Sequence, residues 1–239
     1  MRIAILSDIH GNLTALEAVI DDLRETVPDL ILHGGDLAAG GARPAEIVDR
    51  IRSLGWQGVL GNTDEMLYRP DSLAEFAAKS PLLKPLFDVI EKQAASTRES
   101  LGDERLAWLQ TLPMVQKVAS VALVHASPLS LWISPGAKAT DAELDSTYES
   151  LASSIVVYAH IHHPYIREIA GRTIANTGSV SLSYDGNWHA SYLLIDDEIP
   201  SIRRVVYDLD EEENALAASG LPRADWVAAT MRSGSFVMP

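Results

Sequence analysis

Ser7-Asp8-Ile9-His10-Gly11-Asn12 follows the apolar run Ile3-Ala4-Ile5-Leu6 and precedes a segment with helical periodicity. The run predicts a buried strand over residues 2–7. An acid and an imidazole two residues apart at its end point the same way, because strand side chains alternate with period two. That is a metal-ligand spacing, although an acid in this place is also a common helix N-cap.

Working outward, Leu13, Leu16, Ile20, Leu23 and Val27 fall on one helical face, with Asn12 placed to cap it. Leu30-Ile31-Leu32-His33 predicts a second strand ending at Gly34-Gly35-Asp36. Pro44 starts a helix carrying Ile47, Val48, Ile51 and Leu54, and Gly58-Val59-Leu60 predicts a short third strand ending at Gly61-Asn62-Thr63-Asp64. Each strand delivers polar residues at its C-terminal end, where open α/β sheets build their sites.

Residues 65–112 have a helical pattern interrupted at Pro70, Pro81 and Pro85, and form an excursion over the edge of the sheet. Strands are then expected at 114–118, 120–124, 155–159, 165–169, 172–176, 190–195 and 201–207. The last five lie close together, with Gly171-Arg172 and Asp196-Asp197 as turns, and suggest an antiparallel meander in a second sheet. A helix capped by Asp208 or Asp210 and another around Asp225–Met231 close the chain. With no repeat and no Pro/Gly/Ser-rich linker, the economical reading is one domain over 1–239, decorated by helical segments at about 65–112 and 208–239.

An apolar content of 47% with 22% charged residues is that of an ordinary globular protein. No apolar run approaches the roughly 18 residues that span a bilayer, and Met1-Arg2 leads straight into a strand, so a cytoplasmic protein without membrane contact is expected. The net charge of -14 and the lack of a basic stripe make nucleic acid a poor partner. A small phosphorylated substrate remains open, because bound divalent ions reverse the field locally. The oligomeric state is not readable. Without cysteine, any metal must be held by His, Asp, Asn or Glu.

Asp8, His10, Asp36, Asn62, His125, His160 and His162 each stand at the end of a predicted strand. A single such histidine is commonly a packed core residue; four of them arriving with two Asp and one Asn point to a metal centre. Imidazole with carboxylate suits Mn, Fe, Zn, Co or Ni, whereas Mg or Ca cages are built from oxygen.

The ordered set Asp8-x-His10-Gly11-Asn12, Gly35-Asp36, Gly61-Asn62-x-Asp64, His125 and His160-x-His162 resembles the calcineurin-like metallophosphoesterase superfamily, in its small prokaryotic phosphoesterase branch. The resemblance implies an α/β fold of two stacked mixed β-sheets flanked by helices, a four-layer sandwich. It implies two divalent transition-metal ions, manganese first among the candidates. One would be held by Asp8, His10, Asp36 and His162, the other by Asp36, Asn62, His125 and His160, with Asp36 as the bridge. The implied chemistry is hydrolysis of phosphomonoesters or phosphodiesters by in-line attack of a metal-bridging hydroxide.

Two positions depart from the pattern. Many members carry a histidine after Gly-Asn that is thought to protonate the leaving group, where this chain has Thr63; a hydroxyl does not titrate near pH 7. Ala159-His160-Ile161-His162 stands where Gly-His-Thr-His is usual. His163 is a candidate substitute acid. Asn12, Arg43 and Arg69 are candidate substrate contacts, since arginine clamps phosphate bidentately, and Asp64 is expected to steady a ligand histidine from behind. The alternatives are a nucleotide pyrophosphohydrolase or protein phosphatase of the same superfamily, or a non-catalytic scaffold on this fold resembling the retromer subunit.

Overall fold

The computed structural model describes residues 1–239. The first sheet holds β1 (Arg2–Leu6), β2 (Leu30–His33), β3 (Gln57–Gly58), β9 (Ala190–Asp196) and β10 (Ile199–Val205) in the order β10-β9-β1-β2-β3. The second holds β4 (Val115–Val118), β5 (Val121–Val124), β6 (Ile155–Tyr158), β7 (Tyr165–Ile169) and β8 (Arg172–Asn176) in the order β4-β5-β6-β8-β7. Both sheets mix parallel and antiparallel pairs: β1 runs parallel to β2 and antiparallel to β9, and β6 runs parallel to both β5 and β8 while β4 and β7 run antiparallel to their neighbours.

Three apolar layers explain why the strands read as continuous hydrophobic runs, as strands buried on both faces do. Ile3, Ile5 and Leu32 of the first sheet, with Leu193 and Ile195, meet Val121, Leu123, Ile155 and Val157 of the second between the two sheets. The alternate residues Ala4 and Leu6 face the opposite way, into a larger core shared with α1 (Leu13–Thr26), α2 (Pro44–Leu54) and the later helices. On the far side, Ala122, Val124, Val156, Tyr158 and Ile174 pack against Leu144 and Tyr148 of α6 (Asp141–Tyr148). The result is the expected sandwich of helices, sheet, sheet and helix.

The excursion after Gly61 consists of α3 (Asn62–Tyr68), α4 (Asp71–Ala77), a short 3-10 turn at Pro81–Leu83 and α5 (Lys84–Leu109). Pro85 does not interrupt α5; it lies in its first turn, where a missing N–H costs nothing. Phe87, Ala94, Leu101 and Leu109 join the helical core over the first sheet. The chain closes with α7 (Leu209–Ala218), capped by Asp208, and α8 (Ala224–Ser233).

Several expectations are corrected. The last five strands do not form one meander: β9 and β10 cross to the first sheet and pair beside β1, and β8 inserts between β6 and β7. An alternating or apolar run marks a strand but leaves its partner open, and here Arg2 near the start of the chain pairs with Asp196. The third ladder covers only Gln57–Gly58. Val27 leaves the face of α1, because it ends the helix in the left-handed region (φ 46°) and is exposed. The helix α6 is absent from the sequence reading.

Candidate metal centre

The first strand ends at Leu6, so Asp8 and His10 are not strand residues related by a period of two. Both lie in the left-handed region, with φ of 53° and 47°. Asp36, His160 and His162 do so as well (54°, 68° and 55°). A non-glycine residue held there costs on the order of 1–3 kcal/mol and persists only when its surroundings over-determine it. Here the surroundings are backbone hydrogen bonds: the N–H groups of Asp8, Ile9, His10 and Gly11 donate to the carbonyls of Gly35, Asp36, Asp36 and Leu37 at 2.9–3.0 Å. The loops after β1 and β2 are thereby zipped together, and their side chains converge.

All seven candidate ligands meet in one place. The His162 Nε2 lies 3.1 Å from Asp8 Oδ1 and 3.3 Å from His10 Nε2. Asp36 turns one oxygen toward each side, with Oδ2 3.8 Å from His10 Nε2 and Oδ1 3.5 Å from His125 Nε2. The Asn62 Oδ1 stands 2.8 Å from His125 Nε2 and 2.9 Å from His160 Nδ1. Ligand atoms of Asp8, His10 and His162, and of Asp8, Asp36 and His125, form two groups that could each hold a metal ion.

The tautomers follow from the carbonyls behind the rings. His10 Nδ1–H donates to Ala39 O (2.7 Å), His125 Nδ1–H to Gly34 O (2.7 Å) and His162 Nδ1–H to Leu182 O (2.6 Å). A carbonyl only accepts, so each neutral ring presents a bare Nε2 lone pair to the centre. Two such lone pairs facing each other at 3.3 Å repel unless a proton or a metal cation lies between them. Asp8 Oδ1 is buried and has no hydrogen-bond partner. The donor set therefore fits divalent metal.

Electrostatics couple the acids to the imidazoles: burial works against a charged His162, but the Asp8 carboxylate beside it prevails and raises that ring above the usual imidazole value, so a metal ion there takes the place of a proton. Burial works against a charged Asp8, yet the imidazole of His162 beside it prevails and holds the carboxyl well below its usual value. Burial holds His10 below the usual imidazole value and His160 down at about 4, so both favour the neutral, ligating form.

Asp64 does not touch a ligand histidine. Its carboxylate accepts from Leu37 N (2.9 Å) and Gly61 N (3.3 Å), tying the second and third ligand loops to each other. Burial, reinforced by the charge of Asp36, pushes it up to about 7. Thr63 donates its backbone N–H to Asp36 Oδ1 (2.9 Å), while its hydroxyl is buried without a partner.

The three candidate substrate contacts are placed elsewhere. Asn12 is the N-cap of α1, accepting from Ala15 N at 2.8 Å and donating to Ser181. Arg43 donates to Thr14 and Glu212 (2.8 and 3.0 Å), and Arg69 pairs with Glu65 and Glu75 on the surface. None of them lines the cavity that opens over His10, Asp36, Asn62, Thr63, His160 and His162, nor does His163.

Sequence reasoning places one wall of that cavity in the helical excursion, and Met66, Leu86, Ile90 and Gln93 do come from it. It misses the rest of the wall. Tyr184 stacks on His162 with centroids 4.6 Å apart, and Trp226, Val227 and Thr230 of α8 and Phe236 beyond it complete the lining. The C-terminal segment is thus part of the cavity and not decoration. Ser7, whose hydroxyl donates to Asp8 Oδ2 at 2.5 Å, is also missed, although it adjoins the motif.

A four-layer α/β sandwich with an Asp/His/Asn cluster in the loops after its strands is a scaffold whose donor set fits metal. Residues 1–198 match the calcineurin-like phosphoesterase superfamily domain, and the chain belongs to that superfamily. It is 27% identical over 250 residues to an uncharacterised protein of Methanocaldococcus jannaschii, covering 94% of this chain and 95% of the relative. It is 32% identical over 149 residues to a symmetrical bis(5'-nucleosyl)-tetraphosphatase of Methylococcus capsulatus, covering 61% of this chain and only 50% of that enzyme. A metallophosphoesterase crystal structure from Sphaerobacter thermophilus superposes with a TM-score of 0.79 at 27% identity, covering 98% and 99% of the two chains. No helix is long and apolar enough to cross a membrane.

Proposed function

We propose that this protein is a divalent-metal-dependent phosphoesterase with a two-metal centre. The observation that carries the reading is the convergence of the Nε2 atoms of His10 and His162 with the unpartnered Asp8 Oδ1 in one group of ligand atoms. Asp8, His10, Asp36 and His162 would hold one ion and Asp36, Asn62, His125 and His160 the other, the two carboxylate oxygens of Asp36 facing the two sides. Bound there, divalent ions supply Lewis-acid stabilisation of phosphoryl charge and water activation.

The residues of the chain do the positioning. Ala39, Gly34 and Leu182 fix three imidazole tautomers through their carbonyls, and Thr63 N–H fixes the rotamer of Asp36. In the reaction a water oxygen bonds to phosphorus, the ester P–O bond breaks, and the departing alkoxide takes a proton. No side chain on the cavity wall matches the histidine acid of the family pattern, so that proton comes from solvent, and good leaving groups react faster.

The name of the Methylococcus relative suggests dinucleoside polyphosphates as an alternative substrate. The test measures bound metal by elemental analysis and hydrolysis of p-nitrophenyl phosphate and bis-p-nitrophenyl phosphate in Mn²⁺, with Asp36→Asn alongside. Metal content and turnover are both expected to collapse in the variant. A wild-type protein with neither metal nor turnover would be a scaffold.

A further inference from the structure

Past the metal ligands the cavity changes character. Tyr184 stacks on His162 (4.6 Å, 20°), and Phe236 meets Tyr184 edge-on (5.7 Å, 78°), so a row of rings runs from the cluster toward Phe236, which is 45% exposed. Leu86, Ile90, Trp226 and Val227 supply further apolar surface. The segment carrying Phe236 is tied in place: Gly186 N–H donates to Gly234 O (2.9 Å) and Trp226 Nε1–H to Val237 O (2.5 Å).

No lysine or arginine lines the cavity. Nearby arginines are committed elsewhere: Arg43 to Glu212, Arg69 to Glu65 and Glu75, and Arg98 to the carbonyls of Leu67 and Met66. In a chain of net charge -14, a second or third phosphate would enter this space without a cation to meet it. Aromatic walls instead reward an uncharged ring by area and by edge or face contact.

We propose that this apolar annex seats the uncharged aromatic group of a phosphoester, with Tyr184, Trp226 and Phe236 as specificity-determining residues. The proposal rests on the phosphoesterase reading above and narrows its substrate class to esters with one phosphoryl group. It disfavours dinucleoside polyphosphates.

The test compares benzyl phosphate, methyl phosphate and diadenosine tetraphosphate as substrates in Mn²⁺. Benzyl and methyl alcohols are leaving groups of similar acidity, so their ratio reports binding of the ring. Calorimetric binding of benzylphosphonate and methylphosphonate gives a second readout that needs no turnover. Wild type is expected to favour the benzyl member of each pair on the order of tenfold, through KM and Kd; Trp226→Ala and Phe236→Ala erase the preference and Trp226→Phe keeps most of it. Hydrolysis without a benzyl preference, or faster turnover of the tetraphosphate, keeps the phosphoesterase reading and overturns the annex. A protein that hydrolyses neither these three nor p-nitrophenyl phosphate yet binds benzylphosphonate selectively keeps the annex as a ligand site and overturns the phosphoesterase reading.

Discussion

Thr63 does two things at once: its N–H holds Asp36 in place, and its hydroxyl is buried without a partner beside the cluster. Only the backbone is used in positioning, so Thr63→His leaves that hydrogen bond available while adding a titratable group. The variant is expected to raise turnover of alkyl relative to aryl phosphates on the order of tenfold, below the full 10²–10⁴ of an optimised acid; an unchanged alkyl-to-aryl ratio defeats the idea. Gly61 is constrained differently. Its φ of -97° suits any residue, but a Cβ there would lie 2.1 Å from Asp36 Oδ1 and 2.2 Å from Asp36 N. Gly61→Ala is therefore expected to weaken metal binding by about 10–100-fold, as loss of ligand support does, measurable by competition with a chelator. At this scale the residues that converge were legible, because residue type and loop position carry them. The left-handed backbone was not, since it depends on the facing loop, and the roles of Arg43 and Asp64 depend on partners such as Glu212 that lie far along the chain.

Elements fix the walls. Glu212 of α7 is fully buried and accepts from Thr14 of α1 and from Arg43, which binds the C-terminal helices to the first helix. Burial holds Glu212 above the usual carboxyl value. Arg43→Ala strands that carboxylate and is expected to cost about 3 kcal/mol by denaturant titration, as broken buried pairs do. Because a raised carboxyl pKa favours the protonated folded state, the loss should shrink as pH falls and grow as it rises. At the end of β2, His33 is buried with neither ring nitrogen hydrogen-bonded, and burial alone brings it down to about 4. The unfolded chain takes up a proton near its ordinary value of 6.5 while the folded protein does not. Stability from this group is thus present above 6.5 and lost as pH falls toward 4, by up to about 3 kcal/mol at 1.36 kcal/mol per unit. His33→Leu is expected to flatten that part of the stability profile. Strand and helix positions were largely readable from periodicity, whereas α6 was overlooked despite a signal: Thr140 and Glu143 form a capping box at its start. Strand order was unreadable because β8 and β9 choose partners by packing, which no local pattern encodes.

At the scale of the whole molecule, strain and charge gather at one end of the sandwich. Five candidate ligands sit in the left-handed region, and Asp8, Asp36 and Asp64 are buried together in a chain of net charge -14. Such a centre is maintained by the rest of the fold, through the zipped loops and the three apolar layers, and a bound cation would relieve its repulsion. Metal that binds only the folded state stabilises it by about 2.7 kcal/mol at a concentration one hundred times Kd. For a chain of this size each kcal/mol moves the melting temperature by about 2–4 °C. Addition of Mn²⁺ to chelator-treated protein is therefore expected to raise Tm by roughly 5–10 °C. Asp36→Asn removes one buried charge but preserves the side-chain shape, so it is expected to melt near the metal-free wild type and to show no such rise. The same Tm in Mn²⁺ and in chelator for the wild type would mean that the convergence of Asp8, His10, Asp36 and His162 serves packing and not metal.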